Sequence, residues 1–513
     1  MHTGLYLKKK LKSSTVSTGN KVIVLLLLAV FSFRGYAQTD SVNSFSTATL
    51  KDFSEEMQEH FADPEFSNAV WGVVIQSLST GEYFFKLNDS KLLMPASNMK
   101  LVTTAAGLVT LGPDYRFKTE LHARGTIDGS ILYGDLIIRG FGDPTISGRF
   151  YKQDMYQVFS DWADSLLELG IDEVRGNILG DDNVFDDKGA GYGWSIDDET
   201  FWYAAETGAI TFNENCVDIV IHPTATGSKA RLAVDPETKY IIVFNNVMTV
   251  SRDSITSVTI ERERGTNVVK ITGTIKENSP PFRTYSTVNN PTQFAMVVLK
   301  DILDMKGISV SGYVVDIDDI EEVVNYRNTR YLFTYYSPPL KDIIKVINKD
   351  SQNLYAEQLL KILGYEVYGK GSAENGVRVV KDFMNKIGVN SENMVIADGS
   401  GLSRYNLIST GQISQVLGYM FRHEYFPFYY ESLSVAGTDG TLGKRMTKTN
   451  AAGNVHAKTG YISNVRSLSG FVSTGDKEPV SFSIIANNFI VPVKLAERMQ
   501  DYVCTRLASF KRK

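Results

Sequence analysis

Apolar positions along this chain follow two periods. Leu50, Phe53, Met57 and Phe61 recur at helical spacing, which predicts an amphipathic helix over residues 47–62. Residues 69–88 carry two β-rich runs flanking Ser79-Thr80-Gly81 and read as a hairpin. Pro95-Ala96-Ser97 then opens a helix that stops at Gly112-Pro113. Residues 117–142 read as strands, with turns at Asp128-Gly129 and Tyr133-Gly134. A helix over 151–170, short strands near 174–180, a strand-rich stretch over 216–275, a helix over 292–306 and a strand near 311–317 follow. After about 330 the helical texture returns, with two segments around Ser351 and another ending at Gly388. Three strands over 454–489 feed a closing amphipathic helix over 493–511. No internal repeat of fixed period is present.

This order is helix, hairpin, helix, a long β-rich stretch, helices, and a final sheet with a helix. The early hairpin and the late strands can share one antiparallel sheet, which makes the middle an insertion. The expected division is 1–37 as a targeting segment, 38–115 and 327–513 as two parts of one α+β domain, and 116–326 as inserted β-rich domains. A sub-domain is expected near 146–214.

Composition fits this plan. With 513 residues, 43% hydrophobic and 22% charged, the chain supports two to four domains with ordinary cores and is neither disordered nor fibrous. A net charge of −5 argues against a nucleic-acid partner. Two cysteines, Cys216 and Cys504, cannot build a disulfide framework. The six histidines show no HExxH or paired Cys/His spacing, so neither a metal nor a cofactor is expected.

The N-terminus changes the charge. Lys8, Lys9, Lys10, Lys12 and Lys21 precede an apolar run over 22–33, followed by Gly35-Tyr36-Ala37. The run falls short of the ~20 residues a spanning helix needs. This is the layout of a secretory signal peptide cleaved after Ala37, with an uncleaved anchor as the alternative. No cysteine follows the run to carry a lipid. Cleavage removes six basic residues (those five and Arg34) and no acidic one, so −5 becomes −11. The expected product is an exported, periplasmic acidic protein with no stable membrane span.

Three short patterns carry chemistry. Ser97 and Lys100 stand at i and i+3 at a helix start, where the amine can reach the hydroxyl. The positive helix end and burial both favour a neutral lysine able to take the serine proton. The same helix start offers backbone N–H groups to an oxyanion. Alone, the pattern equally fits an N-cap serine with a solvent lysine. Ser351-Gln352-Asn353 lies between two helical segments, where a second hydroxyl can relay a proton and the amide can fix the lysine. Ser-x-Asn also occurs at Ser41-Val42-Asn43 and Ser391-Glu392-Asn393, so this signal too is weak by itself. Lys458-Thr459-Gly460 opens a strand: a positive field, a hydroxyl for a carboxylate, and room for a substrate backbone.

In this order the three form the SxxK, Ser-x-Asn, KTG set of serine acyl-enzymes. The chain further resembles the D-alanyl-D-alanine carboxypeptidase/endopeptidase family, the class C low-molecular-mass penicillin-binding proteins. The resemblance rests on the 254-residue interval between Ser97 and Ser351, GDLIIRGFGDPT (134–145), DGSGLSRYNLIS (398–409), and AGTDGTLGKR before HAKTG. It runs over about 45–500 and is weakest across 145–330.

The resemblance implies a β-lactamase/DD-peptidase-like catalytic domain, peptidoglycan peptides as substrates and β-lactams as covalent inhibitors. It implies Ser97 as nucleophile, Lys100 as base, Ser351 and Asn353 as the second element, and Lys458 and Thr459 as the third. Gly460 leaves room for substrate, and the backbone N–H groups of Ser97 and Tyr461 serve the oxyanion. Gln352 and Tyr461 depart from the family's frequent Asp and small hydroxyl residue. Arg404 is a candidate cation for a stem-peptide carboxylate, with Asp182 and Phe185 as possible contacts from the insertion. The alternatives are a β-lactamase or esterase on the same nucleophile, against which no ExxLN segment precedes the second motif, and a non-catalytic wall-binding homologue.

Overall fold

The computed structural model describes residues 46–321 and 323–513. The targeting segment called over 1–37 lies outside them. No helix among the described residues is long and apolar enough to cross a membrane.

The fold is α+β. Six antiparallel strands form the sheet that organises the site, in the order Ser434–Val435, His456–Ile462, Val465–Ser473, Pro479–Asn487, Val70–Ser77, Tyr83–Leu87. The early hairpin thus joins the late strands, with Val73 opposite Ile484 and Lys458 opposite Ser469. Successive side chains in a strand point to opposite faces, and both faces here are covered. Ile484 and Ala486 pack with Phe53 and Met57 of the helix Leu50–Phe61 and with Val503 and Leu507 of the helix Val493–Ser509. Ile485 points the other way, into a helical layer containing Leu101, Ala105, Ile343, Leu359 and Leu417. The helices Met99–Leu111 and Asn353–Tyr368 run through the middle of that layer. They are buried nearly all round, and the polar side chains they carry inward, Lys100, Asn353 and Glu357 among them, are therefore hydrogen-bonded within the protein. Cys216 and Cys504 are both buried and free.

The middle of the chain builds its own core around Leu136, Trp162, Phe212 and Phe294. Lys118–Asp128 pairs with Ile131–Gly140 on one side and Arg330–Tyr336 on the other, and the helices Gln157–Glu168 and Pro291–Met305 contribute to this core. Two three-stranded sheets follow, one centred on Cys216–His222 and one on Val268–Lys276.

Three readings of local pattern are corrected. The helical texture expected after about 330 begins only at Leu340, because Arg330–Tyr336 pairs as a strand with Lys118–Asp128. The turn expected at Tyr133-Gly134 lies inside a strand. Gly134 (φ +145) faces Gly125 (φ +139), and a Cβ on either would meet the opposite strand's carbonyl oxygen at 1.9 or 2.1 Å. The two glycines let paired strands approach closely instead of reversing the chain. The helix Thr410–Arg422 went unassigned, although Ser409 and Gln412 form a capping box at its start.

Candidate active site

Ser97 sits in a single 3₁₀ turn, Ala96–Asn98, immediately before the helix Met99–Leu111. Ala96 holds a left-handed backbone (φ +47) that swings the chain into that turn. The turn is held from two sides. Ser467 Oγ donates to the Pro95 carbonyl at 2.6 Å, and Gly401 packs so tightly that a Cβ there would lie 1.9 Å from the Ala96 oxygen. Gly401 also sits at φ +83. Gly401→Ala is therefore expected to cost about 3 kcal/mol and to displace Ser97, slowing serine acylation by about tenfold or more. Paired melting curves and acylation rates check both effects.

One helical turn on, Lys100 Nζ stands 3.1 Å from Ser97 Oγ. It donates to Asn353 Oδ1 at 2.6 Å and to the Ser400 carbonyl at 2.7 Å. A neutral amine has two N–H groups and one lone pair. The two acceptors use both N–H groups, which turns the lone pair toward the serine hydroxyl. Burial lowers Lys100 to about 7, with the negative charges of Asp398 and Glu357 opposing the shift. Glu357 itself is raised by burial and by Asp398.

Lys458 Nζ donates to Ser351 Oγ at 2.9 Å. Burial, with Lys100 and Arg466 adding positive charge, pushes this second amine well down. Asn98 ties the strand to the helix start, its Nδ2 donating to the Lys458 carbonyl at 2.8 Å. Gly460 fits that contact: a Cβ there would meet Ser467 Oγ at 2.1 Å and the Ser97 nitrogen at 2.9 Å. Thr459 Oγ1 donates to Thr441 Oγ1 at 2.8 Å. Tyr461 leaves its ring half-exposed with the Arg466 guanidinium 5.8 Å from its centre.

Ser97, Lys100 and Asn353 thus form one hydrogen-bonded group and Lys458 with Ser351 a second, and Asn98 holds the two elements together through the Lys458 carbonyl. Arg404 is exposed near the end of the Lys458 strand, its Nη2 donating to the Ser463 carbonyl at 3.0 Å. The contacts of Asp182 and Phe185 lie elsewhere. Phe185 is 3% exposed and wedged between Gly142 and Gly371, a packing role that leaves no face for a ligand. Asp182 accepts from Thr292 Oγ1 at 2.5 Å, and burial raises it to about 7. Its carboxylate groups with those of Asp316 and Asp318, within 4.8 Å of one another, and a cluster of acids alone does not make a metal site.

Glu357 and Asp398 were missed in the sequence. Glu357 accepts from the Gly399 and Ser400 amides at 3.1 and 2.8 Å and so fixes the carbonyl that holds Lys100. Asp398 gathers the Gly401 and Ser403 amides, Asn406 Nδ2 and Trp194 Nε1 at 2.6–2.9 Å. The available signal was the acidic start of DGSGLSR and the Glu four residues after Asn353. The mid-chain segment reaches the same place, with the Tyr203 carbonyl accepting from Asn353 Nδ2 at 2.6 Å and Tyr192 stacked on Tyr405.

Comparison with known proteins places the chain in a family. The D-Ala-D-Ala carboxypeptidase 3 (S13) family matches residues 53–506. A D-alanyl-D-alanine carboxypeptidase from Actinomadura sp. (strain R39) is 32% identical over 476 residues, 91% of this chain and 86% of that protein. The D-alanyl-D-alanine carboxypeptidase DacB of Haemophilus influenzae is 26% identical, covering 88% of this chain and 90% of its own. The crystal structure of penicillin binding protein 4 (dacB) from Haemophilus influenzae superposes with a TM-score of 0.75 at 25% identity, over 89% of this chain and 98% of that one. With its serine and lysine in hydrogen-bond contact and the family match running through nearly the whole described chain, this protein belongs to the D-Ala-D-Ala carboxypeptidase 3 (S13) family.

Proposed function

We propose that this serine-type D-Ala-D-Ala carboxypeptidase works through an acyl-enzyme on Ser97. Ser97 Oγ attacks the carbonyl of the penultimate D-Ala while Lys100 Nζ takes its proton. The backbone N–H groups of Ser97 and Tyr461 stabilise the oxyanion. The proton taken by Lys100 is relayed through Ser351, which receives one as it gives one, to the leaving nitrogen; the C–N bond breaks and D-Ala departs. Water then cleaves the ester, restoring the Ser97 hydroxyl and releasing the shortened stem peptide. Thr459 binds the terminal carboxylate in the field of Lys458, and Arg404 offers a bidentate fork to a stem carboxylate. The observation that carries this reading is the Lys100 amine, 3.1 Å from Ser97 Oγ with two further acceptors in place.

The substrates in this reading are peptidoglycan stem peptides and, in the same chemistry, D-Ala-linked crossbridges, with β-lactams as acylating inhibitors. The enzyme is exported after cleavage near Ala37 and acts in the periplasm. The chain division we propose is a catalytic body interrupted by the mid-chain segment, with the pairing of Arg330–Tyr336 to Lys118–Asp128 favouring a return near residue 337.

The test is to follow labelling of the purified protein by a fluorescent penicillin and to assay free D-Ala from a pentapeptide ending in D-Ala-D-Ala. A long-lived label with D-Ala release is expected. Rapid turnover of the penicillin would favour a β-lactamase, and absence of any label would overturn the acyl-enzyme reading.

A further inference from the structure

Ser351 holds a left-handed backbone, φ +60, which a non-glycine residue keeps only where its surroundings over-determine it. The residues on both sides of it are gripped by one pair of side chains from the mid-chain segment. Arg149 Nη1 donates to Asp350 Oδ2 at 3.1 Å, and its Nε and Nη2 donate to the Glu214 carboxylate. Gln352 Nε2 donates to that same carboxylate. Gln352 also uses its Oε1 to accept from the Leu354 N–H at 3.1 Å, capping the helix that begins at Asn353. Glu214 is presented by three consecutive left-handed residues, Asn213 (φ +46), Glu214 (φ +56) and Asn215 (φ +57). That strain sits where the pair meets the second motif.

We propose that Arg149 and Glu214 form a clamp that positions Ser351, with Gln352 as its matched acceptor of force: one amide end for the clamp and the other for the helix cap. The proposal rests on the acyl-enzyme reading above and assigns the mid-chain segment a part in it. Arg149, Glu214 and Gln352 are positioning residues, since they act through Ser351.

The charge count makes the match specific. One guanidinium already faces two carboxylates, Glu214 and Asp350. Gln352 is 1% exposed, so water cannot screen a charge placed there. An aspartate at this position would keep the helix cap, lose the donor to Glu214 and set a third carboxylate against a single cation.

The experiment compares wild type, Gln352→Asp and the double variant Gln352→Asp/Glu214→Gln, reading the penicillin acylation rate constant and the melting temperature. Gln352→Asp should acylate about 30-fold more slowly than wild type. The double variant should recover to within about threefold of wild type, because Glu214→Gln removes the like charge. A helix-cap defect alone would not respond to a change at residue 214. If Gln352→Asp does not fold, Glu214→Ala in the wild-type background carries the test, with acylation about tenfold slower and the melting temperature little changed. Full acylation by either single variant, or no recovery in the double, overturns the clamp. Failure of wild type itself to be labelled overturns the acyl-enzyme reading instead, so the two failures are distinct.

Discussion

Ser97→Ala is expected to abolish penicillin labelling and to slow D-Ala release by about 10,000-fold or more, while the protein stays folded. In the proposed acyl-enzyme route the acyl bond forms on Ser97 Oγ, and removing it leaves Lys100 with no hydroxyl to deprotonate. The backbone N–H groups proposed for the oxyanion are untouched by this change, so any residual turnover reflects them and substrate binding. The structural cost is small. Ser97 contributes one side-chain contact to Lys100, worth about 1 kcal/mol. The amine also keeps Asn353 Oδ1 and the Ser400 carbonyl. A melting temperature within a few degrees of wild type, with no label and no D-Ala, is the expected result. Labelling that persisted in this variant would move the nucleophile elsewhere.

The second large effect is the dependence of acylation on pH and on Lys100. A base acts when unprotonated, and burial holds Lys100 at about 7. Acylation should therefore rise with pH through about 7 and level off above it. At pH 6 it should run at about a tenth of the plateau. Lys100→Met fills similar volume with no base, so it should lower the acylation rate by about 1,000-fold or more and remove this limb of the profile. Stopped-flow labelling across pH 5.5–9 reads both. A flat wild-type profile, or a Lys100→Met protein that acylates normally, would assign the base elsewhere. Stability carries a matching sign. Because the folded pKa lies below the unfolded one, the unfolded chain binds more protons between about 7 and 10. This one group therefore favours the native state increasingly as pH rises through that window.

Much of the site was legible because its signals are local. Ser97 and Lys100 lie one helical turn apart, so their contact follows once the helix is recognised. Pro95 and Gly112 bracket that helix. The strand-like runs His456–Ile462 and Val465–Ser473 read as neighbouring strands, the first carrying Lys458. Where local pattern misled, the cause was tertiary. Gly134 reads as a turn until Gly125 is seen facing it across the pair. Phe185, in a segment that looks able to reach a ligand, is consumed by packing against Gly142 and Gly371.

Period, caps and motif order along the chain marked most of the helices and strands, the helix that Ser97 opens, the strand that carries Lys458 and the family resemblance. The elements depend on residues within a few positions of one another, and the resemblance on the order and spacing of short local motifs. Asn353 meets Lys100 across 253 positions, Ser400 meets it across 300, and Glu214 reaches Gln352 across 138. No spacing rule encodes such contacts, because they exist only after the sheet has closed and the helical layer has packed. Which buried carboxylates face the lysine, how far its proton affinity falls, and what holds Ser351 in a left-handed conformation are properties of that assembled interior. Burial and charge there act through space and are independent of distance along the chain.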